Sequence, residues 1–276
     1  MLKLNQITVL RRLIIPLSQR INLGDITIQH HWTHDKFTLH FFKHREYWYQ
    51  GKDRKRKTML LFPALIKKGD YVIEIGGHIG YISLYFAHLV GPQGRITIFE
   101  PGPDNLPYLQ INTAADPRIS VVEKAVTDYV GAARLYIDKL SGQNNSLIAD
   151  YKILKENQEL AYLDSGDASF IEVSCTTLDD FLNQVPETVP AFVKIDVEGA
   201  EFQVLKGMRE TLKAKDLALM VEVHENAAEV FSLLRDRGFL MFDAKRQPIE
   251  AAKDVKGNIF CLKGNDDRLE VFSPRH

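Results

Sequence analysis

The sequence predicts an α/β protein, a doubly wound and largely parallel sheet carrying a small N-terminal cap, and three observations predict it. From Gly69 onward, short apolar runs alternate with segments of helical period, the pattern of a parallel sheet covered on both faces. A glycine-rich turn, Gly76-Gly77-His78-Ile79-Gly80, lies where the first apolar run hands over to the first helix, and an acid, Glu100, closes the second run. Residues 1–68 lack that alternation and carry the crowded aromatics Trp32, Tyr47, Trp48 and Tyr49. The chain therefore divides into a cap at 1–68 and a main domain at 69–276. At 276 residues and 45% hydrophobic it can bury a full core.

Composition bounds the partners. A net charge of -1 gives no overall field that would attract nucleic acid or an anionic membrane, so no nucleic-acid partner is expected. Cys175 and Cys261 are far apart and outside metal-ligand spacing, which disfavours a disulfide framework or structural zinc and fits a reducing compartment. No apolar run approaches the roughly 18–20 residues that span a bilayer, and Leu13–Leu17 is too short for a signal peptide. The expectation is a cytoplasmic protein without integral membrane contact.

Each element of the cap has its own signal. Leu4, Ile7, Leu10, Ile14 and Leu17 recur at near-helical spacing with Arg11, Arg12 and Arg20 interleaved. This is an amphipathic helix that docks on its own domain, on a partner subunit in a homo-oligomer, or on a membrane surface. Ile21–Thr27 and Phe37–Phe42 have β composition. The run Lys52-Asp53-Arg54-Lys55-Arg56-Lys57 reads as a solvated loop before a helix over Met59–Ile66, an anionic partner being its other use. His30, His31, His34, His40 and His44 crowd together without neighbouring cysteine or regular spacing, so they form no metal motif.

In the main domain, Tyr71–Ile75, Arg95–Phe99 and Ile119–Val122 read as strands, with helices over Tyr81–Val90 and from Asp104. Ala125–Asp128 and Ala133–Ile137 read as a hairpin with Gly131 in its turn. The polar stretch 139–169 is long for a compact domain and reads as a lid. Ile171–Cys175 is a strand, Thr177–Leu182 a short helix capped by Thr176 or Thr177, and Phe192–Ile195 a buried strand. Ala200–Leu212 is a helix, Leu217–Val223 a strand, and Ala227–Arg237 a helix stopped by Gly238. Phe239–Phe242 and Asn258–Leu262 close the sheet, the last antiparallel because no clear helix separates the two.

Two constellations carry chemistry. Glycines at a strand-to-helix turn let the backbone approach a ligand, and the free N–H groups at the helix start suit a carboxylate or phosphate. Glu100, twenty residues after Gly80, is placed to accept hydrogen bonds from ribose hydroxyls. A dinucleotide fingerprint from Gly76 needs glycine at His78, which disfavours NAD, and no Gly-Lys-Ser/Thr follows for a P-loop. An acid, Glu74, ahead of the turn suits a ligand with an ammonium as well as a carboxylate, which describes the methionine end of S-adenosylmethionine.

The second constellation, Lys194, Asp196, Glu198 and Glu201, sits where the Phe192–Ile195 strand meets a helix, at the carboxyl end of a parallel sheet where ligands bind. Alternation turns Lys194 and Asp196 the same way, and Glu198 and Glu201 share a helix face. Such acids also complement the helix macrodipole. His224 ends its strand beside Glu222, and an unperturbed pKa of about 6.5 suits a general base. Asp196, Glu198, Glu201 and His224 are the candidates for accepting a proton. A divalent cation held by these carboxylates is the alternative, and it is not predicted.

The runs Tyr71–Tyr81 and Ile98-Phe99-Glu100-Pro101 resemble the class I S-adenosylmethionine-dependent methyltransferases. Asn105, Ala125, Thr177-Leu178-Asp179-Asp180, Lys194-Ile195-Asp196-Val197-Glu198-Gly199-Ala200-Glu201 and Val221-Glu222-Val223-His224 narrow the resemblance to the FkbM family, over roughly residues 70–225. The chain departs from that pattern at Glu74, where the family more often has Asp, and at Gly77-His78, where it has Ala-Asn. The resemblance implies a Rossmann-like sheet of seven strands with the last antiparallel, and S-adenosylmethionine held by Glu74, Gly76, Gly77, His78, Gly80, Glu100, Pro101, Asn105, Ala125 and Asp196. It further implies catalysis by Lys194, Asp196, Glu198, Glu201 and His224, and O-methylation of a hydroxyl on a sugar, glycan or natural product. The competing expectations are a non-catalytic protein that keeps the fold to bind the same cofactor, and an NAD-dependent enzyme.

Overall fold

The structure is a computed structural model that describes residues 23–160, 169–185 and 189–272. The amphipathic helix expected at the start lies outside the described residues, as do Ile21 and residues 161–168 of the expected lid.

The cap begins with an antiparallel hairpin, β1 (Asp25–Gln29) and β2 (Lys36–His40), followed by α1 (Arg45–Gln50), α2 (Arg56–Met59) and α3 (Phe62–Leu65). The single helix expected over Met59–Ile66 is thus broken, and Pro63 in the first turn of α3 lacks the N–H that would continue α2. Three of the crowded histidines serve the backbone, while His31 Nδ1 meets the Tyr81 hydroxyl at 3.0 Å. His30 Nδ1 accepts from the N–H groups of Trp32 and Thr33, and His40 Nδ1 from those of Phe42 and Lys43. His44 Nδ1 accepts from His40 N.

The main sheet holds β3 (Tyr71–Ile75), β4 (Arg95–Phe99), β5 (Ile119–Val122), β9 (Phe192–Ile195), β10 (Ala218–Val223), β11 (Phe239–Asp243) and β12 (Gly257–Lys263). Their order is β11-β12-β10-β9-β3-β4-β5, all neighbours parallel except β12, which runs antiparallel to β10 and β11. This is the seven-stranded sheet with an antiparallel last strand that was expected. The chain leaves β3 toward β4 and β5 and returns to β9 on its other side, so a crevice opens above the carboxyl ends of β3 and β9.

Strand alternation sends Val72, Phe192, Met220 and Phe260 to one face and Ile73, Val193, Leu219 and Val221 to the other. The first face packs on α4 (Tyr81–Val90) and on the cap, whose Phe37, Leu39, Tyr47 and Phe62 belong to the same buried cluster. The second face packs on α8 (Glu201–Lys206) and α9 (Ala227–Asp236).

Between β5 and β9 the chain differs from expectation. β6 (Ala125–Val126) and β7 (Gly131–Tyr136) do not pair with each other; both flank β8 (Phe170–Thr176) in a separate three-stranded sheet. The longer ladder wins, because β8 offers β7 six paired residues where β6 could offer two. α5 (Leu106–Thr113) precedes this region, α6 (Lys152–Leu160) lies in the expected lid, and α7 (Leu178–Gln184) follows β8. Thr177 caps α7, its side chain accepting from Asp180 N at 2.9 Å. The helix expected over Ala200–Leu212 stops at Lys206; Gly207 packs against the Thr127 carbonyl, where a Cβ would stand 2.1 Å away, and a turn over 207–210 leads into a 3₁₀ segment at Thr211–Lys213.

Candidate active site

The glycine turn is shaped by contact with the neighbouring strand. Gly76 has φ +86°, and a Cβ there would lie 1.9 Å from the Asp196 carbonyl oxygen, so the ends of β3 and β9 touch through it. A Cβ on Gly77 would lie 2.1 Å from Ile98 Cγ2, and Gly80, at φ +87°, starts α4. His78 also takes a left-handed conformation, φ 49°. Its backbone N–H donates to Glu100 Oε2 at 2.8 Å, and its ring stacks on Tyr47, whose hydroxyl is 2.9 Å from Nδ1. Burial, with His44 and Arg54 nearby, holds His78 well below the ordinary histidine range. The neutral ring then accepts from Tyr47 and turns its Nε2–H toward the Ser141 carbonyl, 3.5 Å away. His78 joins the cap, the turn and the lid.

Glu100 is buried at the end of β4 and accepts from His78 N, from Gly102 N at 2.8 Å and from Asn105 Nδ2 at 3.1 Å. Burial pushes its carboxyl up to about 7 despite those bonds. Pro101 and Ala125 line the same cavity.

Beneath the turn, register pairs Glu74 with Lys194. Lys194 Nζ lies 3.1 Å from Glu74, 3.0 Å from the Gly76 carbonyl and 3.3 Å from Asp196, so its three donors are all engaged. Ser83 Oγ donates to Glu74 at 2.6 Å. These two residues brace the turn and orient Asp196.

Asp196 faces the cavity, where Lys55 of the cap meets it at 2.9 Å and also hydrogen-bonds Glu222. Burial alone would raise Asp196, but the charges of Lys55 and Lys194 hold it well below the usual carboxylate range. The basic run is thus only partly the solvated loop the sequence suggested: Lys52, Arg56 and Lys57 are exposed, whereas Arg54 and Lys55 turn inward.

Glu198 and Glu201 do not share a helix face. Gly199, at φ +101°, reverses the chain, so Glu198 sits ahead of α8 in a left-handed conformation and Glu201 opens the helix. They grip His224 from two sides, Glu201 Oε1 at 3.1 Å from Nδ1 and Glu198 Oε2 at 3.5 Å from Nε2, with Glu222 at 4.0 Å. Burial pulls His224 down, yet the Glu201 hydrogen bond and the surrounding carboxylates outweigh it and raise the pKa to about 9. The ordinary value assumed from sequence does not apply, and His224 is a cation at neutral pH. Glu198 is pushed up to about 7 by burial and by the charge of Asp196. The Tyr151 hydroxyl donates to its Oε2 at 2.5 Å, and Ser146 Oγ donates to its carbonyl at 2.6 Å, both from the lid.

These groups open into one cavity of about 350 Å³, within the range of small-molecule sites, roughly 300–1,000 Å³. Among the described residues, no group of three or more His, Cys, Asp or Glu side chains is arranged to hold a metal ion, and no helix is long and apolar enough to cross a membrane. Sequence reasoning brought Glu74, Glu100, Lys194, Asp196, Glu198 and His224 to this cavity, whereas Glu201 is buried behind His224 and does not line it. It missed Tyr47, Arg54, Lys55, Tyr151 and Glu222 as members of the site. Glu222 alone had a signal, two positions before His224 on the strand.

Residues 74–241 match the methyltransferase FkbM domain. Over 213 residues the chain is 30% identical to methyltransferase sdnD of Sordaria araneosa, covering 69% of this chain and 80% of that protein. It is 29% identical to the 31-O-demethyl-FK506 methyltransferase FkbM of Streptomyces tacrolimicus, again over 69% and 80%. Among solved structures, the methyltransferase FkbM of Methylobacillus flagellatus KT aligns with a TM-score of 0.45 at 14% identity, over 70% of this chain and 43% of that one. The strand order, the turn facing Glu100 and the match across most of the main domain agree: this chain belongs to the FkbM methyltransferase family.

Proposed function

We propose that the protein transfers a methyl group from S-adenosylmethionine to a hydroxyl of a sugar, glycan or natural product. The observation that carries this reading is that the turn and Glu100 open into the same cavity as the Asp196, Glu198 and His224 cluster. In this reading a nucleoside site and an acid–base site face each other at the switch point of the sheet. The name of the Streptomyces relative describes an acceptor oxygen on such a natural product.

The residues present fit the cofactor. Asn105 Oδ1, Gln143 Nε2 and Asn145 Nδ2 line the cavity as buried polar atoms without a hydrogen-bond partner among the described residues, the state of groups that complete their bonds with a ligand. Glu100 has lone pairs left for ribose hydroxyls after its three internal donors. Bound there, S-adenosylmethionine would supply an electrophilic sulfonium methyl. The protein has to align the acceptor oxygen, exclude water and take up its proton. Glu198 is the group suited to the proton, because a pKa of about 7 matches a base working near neutrality. His224, already protonated, stabilises the Glu198 carboxylate, and Tyr151 fixes its orientation.

In a methyl-release assay over glycan and small-molecule acceptors, Glu198→Gln should lower turnover by roughly 10²–10⁴-fold while S-adenosylhomocysteine binding by calorimetry persists. Glu100→Ala should abolish that binding. Full turnover in Glu198→Gln would remove the residue from the chemistry, and binding without turnover on any acceptor would favour a non-catalytic binding protein.

A further inference from the structure

Arg54 is the second cation that the cap turns inward, and unlike Lys55 it forms no ion pair among the described residues. Its guanidinium lies 4.1 Å from the centroid of the Tyr47 ring, and Tyr47 stacks on and hydrogen-bonds His78 of the glycine turn. Arg54, Tyr47 and His78 all line the cavity. Arg54 Nε is buried and has no hydrogen-bond partner among the described residues. Of the acids nearby, Asp196 and Glu222 are both taken by Lys55, and Glu46, close enough to act on the Arg54 charge, forms no ion pair with it. A guanidinium presents five donors in a planar fork that matches a carboxylate, and a buried donor without an acceptor is uncommon enough in native structures to need an explanation.

Position says which carboxylate. His78 connects the two ends of the cofactor reading: its backbone N–H reaches Glu100, where ribose hydroxyls would bind, and its ring reaches Tyr47 beneath Arg54. A ligand whose ribose lies at Glu100 and whose chain follows the turn brings its amino-acid end to Arg54. We propose that the Arg54 guanidinium binds the carboxylate at the methionine end of S-adenosylmethionine, so that the cap supplies part of the cofactor site. The proposal rests on the cofactor reading above.

The test is calorimetry on the full chain with two ligands that differ at that end: S-adenosylhomocysteine, which keeps the carboxylate, and 5′-methylthioadenosine, which lacks the whole amino acid. Arg54→Gln should weaken S-adenosylhomocysteine by roughly 10–100-fold, the usual worth of a hydrogen bond to a charged group, and leave 5′-methylthioadenosine unchanged. Arg54→Lys should fall between. Retention of 5′-methylthioadenosine binding also shows that the variant is folded. Unchanged affinity for both ligands would overturn the assignment. An equal loss for both would overturn it by making Arg54 a structural support of Tyr47. If the unsubstituted protein bound neither ligand, the cofactor reading itself would fall, and this assignment with it.

Discussion

At the scale of single residues, the site is a set of charges whose neighbours decide their protonation. In the base role proposed for it, Glu198 must lose its proton, and its pKa is raised to about 7. Turnover should therefore climb with pH through about 7 and then level. His224 keeps its proton until about 9, and its charge favours the Glu198 carboxylate, so the rate should fall again as pH passes that value. In His224→Gln the missing cation lets the Glu198 pKa rise further. The acidic limb should move to higher pH and the alkaline limb should disappear from a pH–rate profile, and an unshifted acidic limb would assign that limb to another group. Lys55 separates Asp196 from Glu222. Lys55→Ala removes the cation between two carboxylates, leaving Asp196 with Lys194 and Glu222 with His224, and urea unfolding should show a loss on the order of 3 kcal/mol, the usual effect of breaking a largely buried pair. The sequence disclosed Asp196, Glu198, Glu201 and His224 because they fall in two short runs at strand ends. Lys55 and Arg54 carry no such mark: 141 residues separate Lys55 from Asp196, and three exposed neighbours make the run look like any solvated loop.

At the scale of elements, the β3–α4 turn and the lid do the positioning. Gly76→Ala would force a methyl against the Asp196 carbonyl at a left-handed φ, whereas Gly238, also left-handed at φ +76°, has open space where a Cβ would go. Gly238→Ala should lose about 1 kcal/mol, the conformational penalty alone. Gly76→Ala should lose more than about 3 kcal/mol because overpacking adds to it. Equal midpoints in urea would contradict the close contact between the strands. The lid is tied down by Tyr151 on Glu198, Ser146 on the Glu198 carbonyl and Asn105 on the Gly142 carbonyl. Asp138 at its base accepts from the backbone N–H of Leu140 and from Ser141 Oγ, which holds the first turn of the lid. The turn was legible because its glycines sit together after an apolar strand. The pairing of β7 was not, because its partner lies beyond the lid and a short hairpin loop is the stronger local signal.

For the molecule as a whole, the buried histidines of the cap set a limit toward acid. His30 is fully buried and its pKa is lowered to about 4, chiefly by desolvation, and His44 to about 3 for the same reason. As pH falls below about 6.5, the unfolded chain takes up protons that the native state refuses, so stability drops until the native values are passed. For His30 alone this amounts to ~3 kcal/mol between about pH 6.5 and 4. Glu100 and Glu198, raised to about 7, act with the opposite sign, because the native state binds their protons first as pH falls. His30→Asn should therefore be less stable near neutrality but show a flatter loss of stability from pH 6.5 to 4 than the parent, as read from thermal melts. An unchanged slope would show that His30 is already charged in the native state. The overall fold was the most legible feature, since seven apolar runs in alternation with helices permit few arrangements. That the cap packs on the main domain was expected, but which side chains merge was not legible, because nothing in the order of residues says that Phe37 and Phe62 would share a cluster with Phe86 and Phe192. That merging restricts how the protein can be recombined with its relatives. A cap borrowed from another chain would arrive with side chains cut for a different sheet face and without the Tyr47 and Arg54 that reach the glycine turn. Exchange would succeed only when α4 and the first strands travel with it, so trading caps means replacing the first hundred or so residues as one block.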